Sequence, residues 1–151
     1  MAGNVTFREI LPGDMEAIFE VRVATWHNEH GQKEMTALGI TQDAVLNVLG
    51  KSHRGWLCEV GPRVVGFAMG DRTNGEMWVI AVLKEFEGRG IGRRLLTLVS
   101  EWLFSEGWSE IWLTTDPDET FRAVGFYRRL GWADWKLEPG GDRYMKKFAP
   151  A

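Results

Sequence analysis

The chain is poor in cysteine, tyrosine and histidine, with one, two and three among 151 residues. A single cysteine, Cys58, excludes an intramolecular disulfide. His27 and His30 in WHNEH have no third ligand near them in sequence, so no metal site is expected. No apolar run approaches the roughly 20 residues of a membrane span. The start MAGNVTFREI lacks the basic head and apolar core of a signal peptide, so a cytoplasmic protein is expected. A net charge of −3 and a pI near 5.7 argue against a broad nucleic-acid footprint. Repeats, linkers and low-complexity tracts are lacking too. The length then implies one domain, residues 1–151.

Tryptophan, by contrast, is plentiful at eight, and most should be core, because aromatic rings supply large buried area. NVTFREI alternates like a first strand. A helix follows in PGDMEAIFEVRVATWHNE, with Asp14 as its cap and Met15, Ile18, Phe19, Arg22 and Trp26 at helical spacing. Thr41 can cap QDAVLNVL, a short helix that stops at Gly50. GWLCEV and VVGFAMGD read as strands joined at Gly61-Pro62. TNGE turns the chain into MWVIAVL, a run suited to a strand buried on both faces. Leu95, Leu96, Val99, Trp102 and Leu103 form one face of a helix that ends at Gly107. EIWLTT is again a strand. DPDETFRAVGFYRRLG reads as a helix with Asp116 as N-cap, Pro117 in the first turn, Glu119 completing a capping box and Gly131 closing it. WADWKL and RYMKKF form a last hairpin around EPGGD. The strand–helix–strand unit from MWVIAVL to EIWLTT makes those two strands parallel, with a right-handed crossover. The fold class is α/β or α+β, on a mixed, mostly antiparallel sheet.

The stretch EFEGRGIGRRLL, Glu85 to Leu96, crowds glycine and arginine at a helix start. Glycines let backbone N–H groups approach a ligand with no Cβ in the way. The helix N-terminus adds free N–H groups and a positive dipole end. Arg89, Arg93 and Arg94 oppose that dipole unless an anion is bound. The stretch is either a phosphate cradle or a solvated turn. A Walker loop would need Lys-Ser/Thr after Gly92, and a dinucleotide fingerprint would need glycine at Arg93.

VIAVLKEFEGRGIGRRLL resembles the acyl-CoA signature of the GCN5-related N-acetyltransferases (GNAT). Val82 and Lys84 stand at that motif's Val and Pro positions, and Glu87, Gly90 and Gly92 at its Gln/Arg-x-x-Gly-x-Gly/Ala. The family's second motif resembles Ala123, Phe126, Tyr127, Gly131 and Trp132. The resemblance covers nearly the whole chain. It implies the GNAT fold, a twisted mixed sheet of about seven strands with about four helices. It implies acetyl-CoA as cosubstrate and direct transfer of acetyl to an amine of a small molecule or peptide. An acyl-CoA-binding module without catalysis is the alternative. Homodimers are frequent in the family.

By the same resemblance, the backbone of Ala81 and Val82 holds the pantetheine arm, and the Val82 N–H meets the thioester oxygen. Gly88, Arg89, Gly90, Ile91, Gly92 and Arg93 bind the pyrophosphate. Thr120 stands where many members carry a pantetheine-contacting Asn. The parallel strands splay, and acetyl meets acceptor in the gap.

Tyr127 fits the family's general acid. It lies on the stripe Ala123, Phe126, Tyr127, Leu130, which suits a core tyrosine equally. Glu76 stands where histone-acetylating members carry a base; a solvated strand end is the other reading. By period two, Glu76 should share a face with Trp78, Ile80 and Val82. Trp26, His27, Met35, Leu38, Trp132 and Trp135 are candidate walls for an apolar or cationic acceptor. Cys58 lies mid-strand, away from both motifs, which favours direct transfer over an acetyl-cysteine route.

Overall fold

The computed structural model describes residues 4–25, 40–115, 122–139 and 142–150. Seven strands form one sheet: β1 (Val5–Glu9), β2 (His53–Val60), β3 (Arg63–Asp71), β4 (Glu76–Val82), β5 (Glu110–Thr115), β6 (Ala133–Leu137) and β7 (Arg143–Phe148). Their order is β1-β2-β3-β4-β5-β7-β6, and every pairing is antiparallel except β4 with β5. Four α-helices occur among the described residues: α1 (Met15–Thr25), α2 (Gln42–Val48), α3 (Ile91–Ser105) and α4 (Arg122–Arg129). The expected fold class stands.

Most local signals act as the sequence suggests. The Thr41 hydroxyl accepts the Ala44 N–H at 3.2 Å, and Gly50 stops the helix with φ +80°. Asp14, expected as the cap of α1, closes the turn before that helix and reaches back instead. Its carboxylate accepts the Leu11 N–H at 2.7 Å and holds both terminal nitrogens of Arg8 at 2.8 Å, so it ties β1 to the turn before α1. The start of α4, with Asp116, Pro117 and Glu119, lies outside the described residues, as do Trp26, His27, His30, Met35, Leu38 and Thr120.

The core sits on both faces of β3, whose residues Val65–Gly70 are all buried. A Cβ on Gly66 or Gly70 would press on Leu95, or on Val99 and Leu103. The small residues Gly66, Ala68 and Gly70 therefore form the bed of α3. Phe67 and Met69 point the other way, toward Ile18 and Phe19 of α1. Burial on both faces was expected of β4, but there only Met77 and Ala81 are buried. The reason is positional: β4 borders a gap and lacks a continuous neighbour on that side.

Gly55 of β2 is where backbone meets backbone most closely. A Cβ there would lie 2.4 Å from the Ala68 carbonyl and 2.5 Å from Met69 Cγ. Overpacking of this kind costs about 1–3 kcal/mol. Gly55→Ala should lower the melting temperature by several degrees, at about 2–4 °C per kcal/mol for a chain of this size. Gly13→Ala, with nothing within 4 Å, should not lower it in the same calorimetric scan and should raise it slightly by restricting the unfolded chain.

Candidate active site

The site begins with two strands that meet at one end only. β4 and β5 pair at Glu76↔Trp112 and nowhere further along. The joint is pinned by Trp112, whose N–H donates to the Gly75 carbonyl at 3.1 Å and whose indole N–H donates to the Asn74 carbonyl at 2.9 Å. Beyond it the strands part. The Leu83 N–H donates to the Val65 carbonyl at 2.9 Å. In an antiparallel ladder the N–H groups alternate between the two sides. Those of Ile80 and Val82 therefore turn away from β3 and into the gap, where β5 offers no pairing residue.

At the far end of the gap lies the glycine loop. Gly88 and Gly90 adopt φ +78° and +81°, a left-handed backbone that glycine supplies without strain. No atom stands within 4 Å of a Cβ built on either, so the loop presents bare backbone to open space. The Arg94 N–H is the first to bond back, to Gly90 at 3.1 Å. The N–H groups of Ile91, Gly92 and Arg93 precede it and have no intrahelical carbonyl to reach. Arg89 lies over the Phe86 ring at 5.0 Å, and the Arg93 side chain is exposed. Glu87 pairs with Arg122 at the start of α4, a bridge across the loop that the sequence did not signal. Helix α4 also meets the loop through Phe126, whose Cζ would stand 3.4 Å from a Cβ at Gly92. A phosphate group fits these features: free amides, a positive helix end, arginines and no intruding side chain.

Tyr127 follows Phe126. Gly131 ends its helix with φ +94°. The Trp132 N–H returns to the Tyr127 carbonyl at 3.0 Å, and the Gly131 N–H to Arg128 at 3.2 Å. This is a Schellman ending, with the accompanying apolar contact between Tyr127 and Trp132, rings 6.1 Å apart. Trp132 is thus core rather than acceptor wall, while Trp135 is exposed and meets Tyr144 edge-on. Burial pushes the Tyr127 phenol up to about 12, and the Arg22 guanidinium of α1 acts against that rise. Arg22 itself is lowered from its ordinary value by burial. Sequence periodicity placed Arg22 on a helix stripe but gave no sign that it would influence this phenol.

On the α1 face, a cavity of about 70 Å³ is lined by residues including Ile18, Phe19, Arg22, Met69, Trp78 and Val79. Beside it runs one cross-strand row, His53↔Asp71↔Glu76↔Trp112. Residues directly opposite one another share a face. Glu76 is half-buried, and burial raises its carboxyl above the ordinary value. The expected face assignment of Glu76 needs correction. Met69 pairs with Val79 but Gly70 with Met77, so Trp78 is an extra residue in β4, a β-bulge. Glu76 shares its face with Trp78 through that bulge, whereas Ile80 and Val82 point to the α3 side. His53 and Asp71 were not foreseen. The His53 ring stands edge-on to Trp78 at 4.7 Å. Cys58 is fully buried, and burial raises its thiol. Among the described residues no group of three or more His, Cys, Asp and Glu could hold a metal, and no helix is long and apolar enough to cross a membrane.

A sheet parted between two parallel strands, with a bare-backbone loop at the mouth of the connecting helix, is the architecture of an acyltransferase domain. Residues 15–132 match the acetyltransferase (GNAT) family, and the chain belongs to that family. Mycothiol acetyltransferase of Arthrobacter sp. (strain FB24) is 31% identical over 146 residues, covering 89% of this chain and 44% of that protein. The chain thus spans less than half the length of this curated relative. The fold resembles that of PaiA N-acetyltransferase from Thermoplasma acidophilum in complex with coenzyme A, with TM-score 0.84, 18% identity, and 97% and 99% of the two chains covered. It also resembles Ard1 from Thermoplasma volcanium, with TM-score 0.77, 20% identity, and coverage of 97% and 99%.

The buried phenol yields a pH signature. A folded-state value near 12 against about 10 unfolded means that the folded chain holds this proton more tightly. The resulting stability is present below pH 10 and is lost as pH rises toward 12. The ultraviolet titration of wild type minus Tyr127→Phe should show one phenol ionising near 12. A difference curve centred near 10 would mean that Tyr127 is solvated.

Proposed function

We propose that the chain works as one domain that transfers acetyl directly from acetyl-CoA to an amine of a small molecule or peptide. The observation that carries this reading is the parted β4–β5 pair, with unpaired Ile80 and Val82 amides at its edge and a phosphate-fitting loop at its end. Gly88, Arg89, Gly90, Ile91, Gly92 and Arg93 hold the pyrophosphate. Ile80 and Val82, whose amides face the gap, hold the pantetheine arm by strand-like bonds, with Thr120 a further contact. Ala81, expected there by resemblance, turns its backbone groups to Phe67 of β3 instead. The Val82 N–H donates to the thioester oxygen, where negative charge grows during attack.

An alkyl ammonium, with a pKa of about 10.4, cannot attack until it loses a proton. Glu76 takes that proton through water, since it lies roughly 20 Å of extended strand from Val82. Its raised carboxyl makes it a better base than an exposed glutamate. The neutral amine then attacks the carbonyl carbon, the carbon–sulfur bond breaks, and Tyr127 gives its proton to the leaving thiolate. The remaining surplus proton on the acylated nitrogen passes through water to the Tyr127 phenolate, while Glu76 releases its proton to solvent. Tyr127 is protonated throughout the physiological range, as an acid must be. Cys58 is buried among strands and forms no acyl intermediate. The mycothiol acetyltransferase relatives leave the acceptor open, because the chain covers under half of their length. Action in the cytoplasm fits an acetyl-CoA-dependent reaction.

Three outcomes test this. A panel of polyamines, amino acids, aminoglycosides and peptides, read by free-thiol release, should contain at least one acceptor. Binding of acetyl-CoA with no transfer to any of them would favour a silent binding module. Tyr127→Phe should lower kcat by about 10²–10⁴-fold with the KM for acetyl-CoA within a few-fold; normal turnover would make Tyr127 a packing residue. Glu76→Gln should lower kcat/KM mainly at neutral pH, with the deficit shrinking as pH rises and the amine neutralises itself. An unchanged pH–rate profile would remove Glu76 from the mechanism.

A further inference from the structure

We propose that Asp71 is a positioning residue that acts through Glu76: its carboxylate stands opposite Glu76 in the same cross-strand row and sets negative charge beside the group that receives the amine's proton. This rests on the reading of Glu76 as the proton acceptor.

The geometry of the row carries the inference. Asp71 and Glu76 are direct partners on antiparallel strands, and such partners stand roughly 4.5–5.5 Å apart. Asp71 is fixed in place. Its Oδ1 accepts the Thr73 N–H at 2.9 Å and the Thr73 hydroxyl at 2.6 Å. A negative charge on the neighbouring strand raises the proton affinity of a carboxyl that faces it. Burial is the largest influence raising Glu76, a hydrogen bond with the Asn74 side chain opposes it, and Asp71 adds a smaller push upward.

On the β2 side, His53 places Nε2 3.7 Å from Asp71 Oδ2 and Nδ1 2.7 Å from the Ser52 hydroxyl. Burial lowers the His53 imidazole, so it is uncharged at neutral pH. On the β5 side the row continues with the neutral Trp112. Further on, at β7, Lys146 is bound to Glu110 at 2.7 Å. In the turn, Asn74 accepts the Glu76 N–H at 3.0 Å, and Arg72 gives its Nε–H to the Lys51 carbonyl. From α1, Arg22 borders the cavity beside Trp78 and is the one cation on that side among the described residues of the cavity wall. As pH falls and His53 gains a proton, its imidazolium faces Asp71, and the effect on Glu76 weakens.

The test is a carbon-13 titration of the Glu76 carboxyl, joined to pH profiles of kcat/KM. Asp71→Asn keeps the amide oxygen that Thr73 needs and removes the charge. Charges on neighbouring strands, screened by water, couple by about half to one pH unit. The Glu76 midpoint should fall by that amount, and the acid limb of kcat/KM should move with it. Asp71→Glu should restore both. The proposal is overturned if the Glu76 midpoint stays in Asp71→Asn, or if it falls while the acid limb does not follow. Should no amine in the panel be acetylated, the transferase reading fails on its own, and the titration alone decides the pairing of Asp71 with Glu76.

Discussion

The structure depends on one joint. Trp112 fastens β5 to the turn before β4 by two hydrogen bonds, one from its backbone and one from its indole. Everything beyond the joint is free to part, because parallel strands joined through a helix need no turn to hold their far ends together. The parted edge leaves strand amides without strand partners. Unpaired backbone groups seek hydrogen bonds, and the proposed place of the pantetheine arm, an extended chain of amides, is this gap.

Packing sets where the slot ends. Gly66, Ala68 and Gly70 let α3 lie close on β3, with Leu95, Val99 and Leu103 against them. That seat aims the N-terminus of α3 at the mouth of the gap. The left-handed glycines before it keep side chains out of the path, and Glu87 with Arg122 links the loop to α4. That ion pair is exposed and contributes little stability; its effect is on placement. The same helix α4 carries Tyr127 into a buried position, where burial holds its phenol protonated and the charge of Arg22 acts the other way.

The strands, the helices, the parallel pair and the glycine loop were legible in the sequence because each has a local signal. Gly50 and Gly131 stop helices where expected, and the apolar stripe of α3 is continuous. Register was not legible. The turn at Gly61-Pro62 pairs Val60 with Arg63, but a shift at Cys58/Glu59 displaces the rest of the ladder, so that His53 faces Asp71. A second shift, at Trp78, turns Glu76 away from the face of Ile80 and Val82. One extra residue reverses every side chain beyond it, and nothing in MWVIAVL marks which residue is extra. The row of His53, Asp71 and Glu76 therefore emerges only in three dimensions. So does the influence of Arg22 on Tyr127, which joins two distant helices.

Amide hydrogen exchange, read residue by residue with and without acetyl-CoA, addresses the parted strands most directly. The Leu83 amide is already bonded to Val65 and should be protected in both states. The Val82 amide should exchange readily in the free protein and become protected when acetyl-CoA binds, together with those of Gly92 and Arg93. Saturating acetyl-CoA that leaves Val82 and the loop amides unprotected would contradict the account.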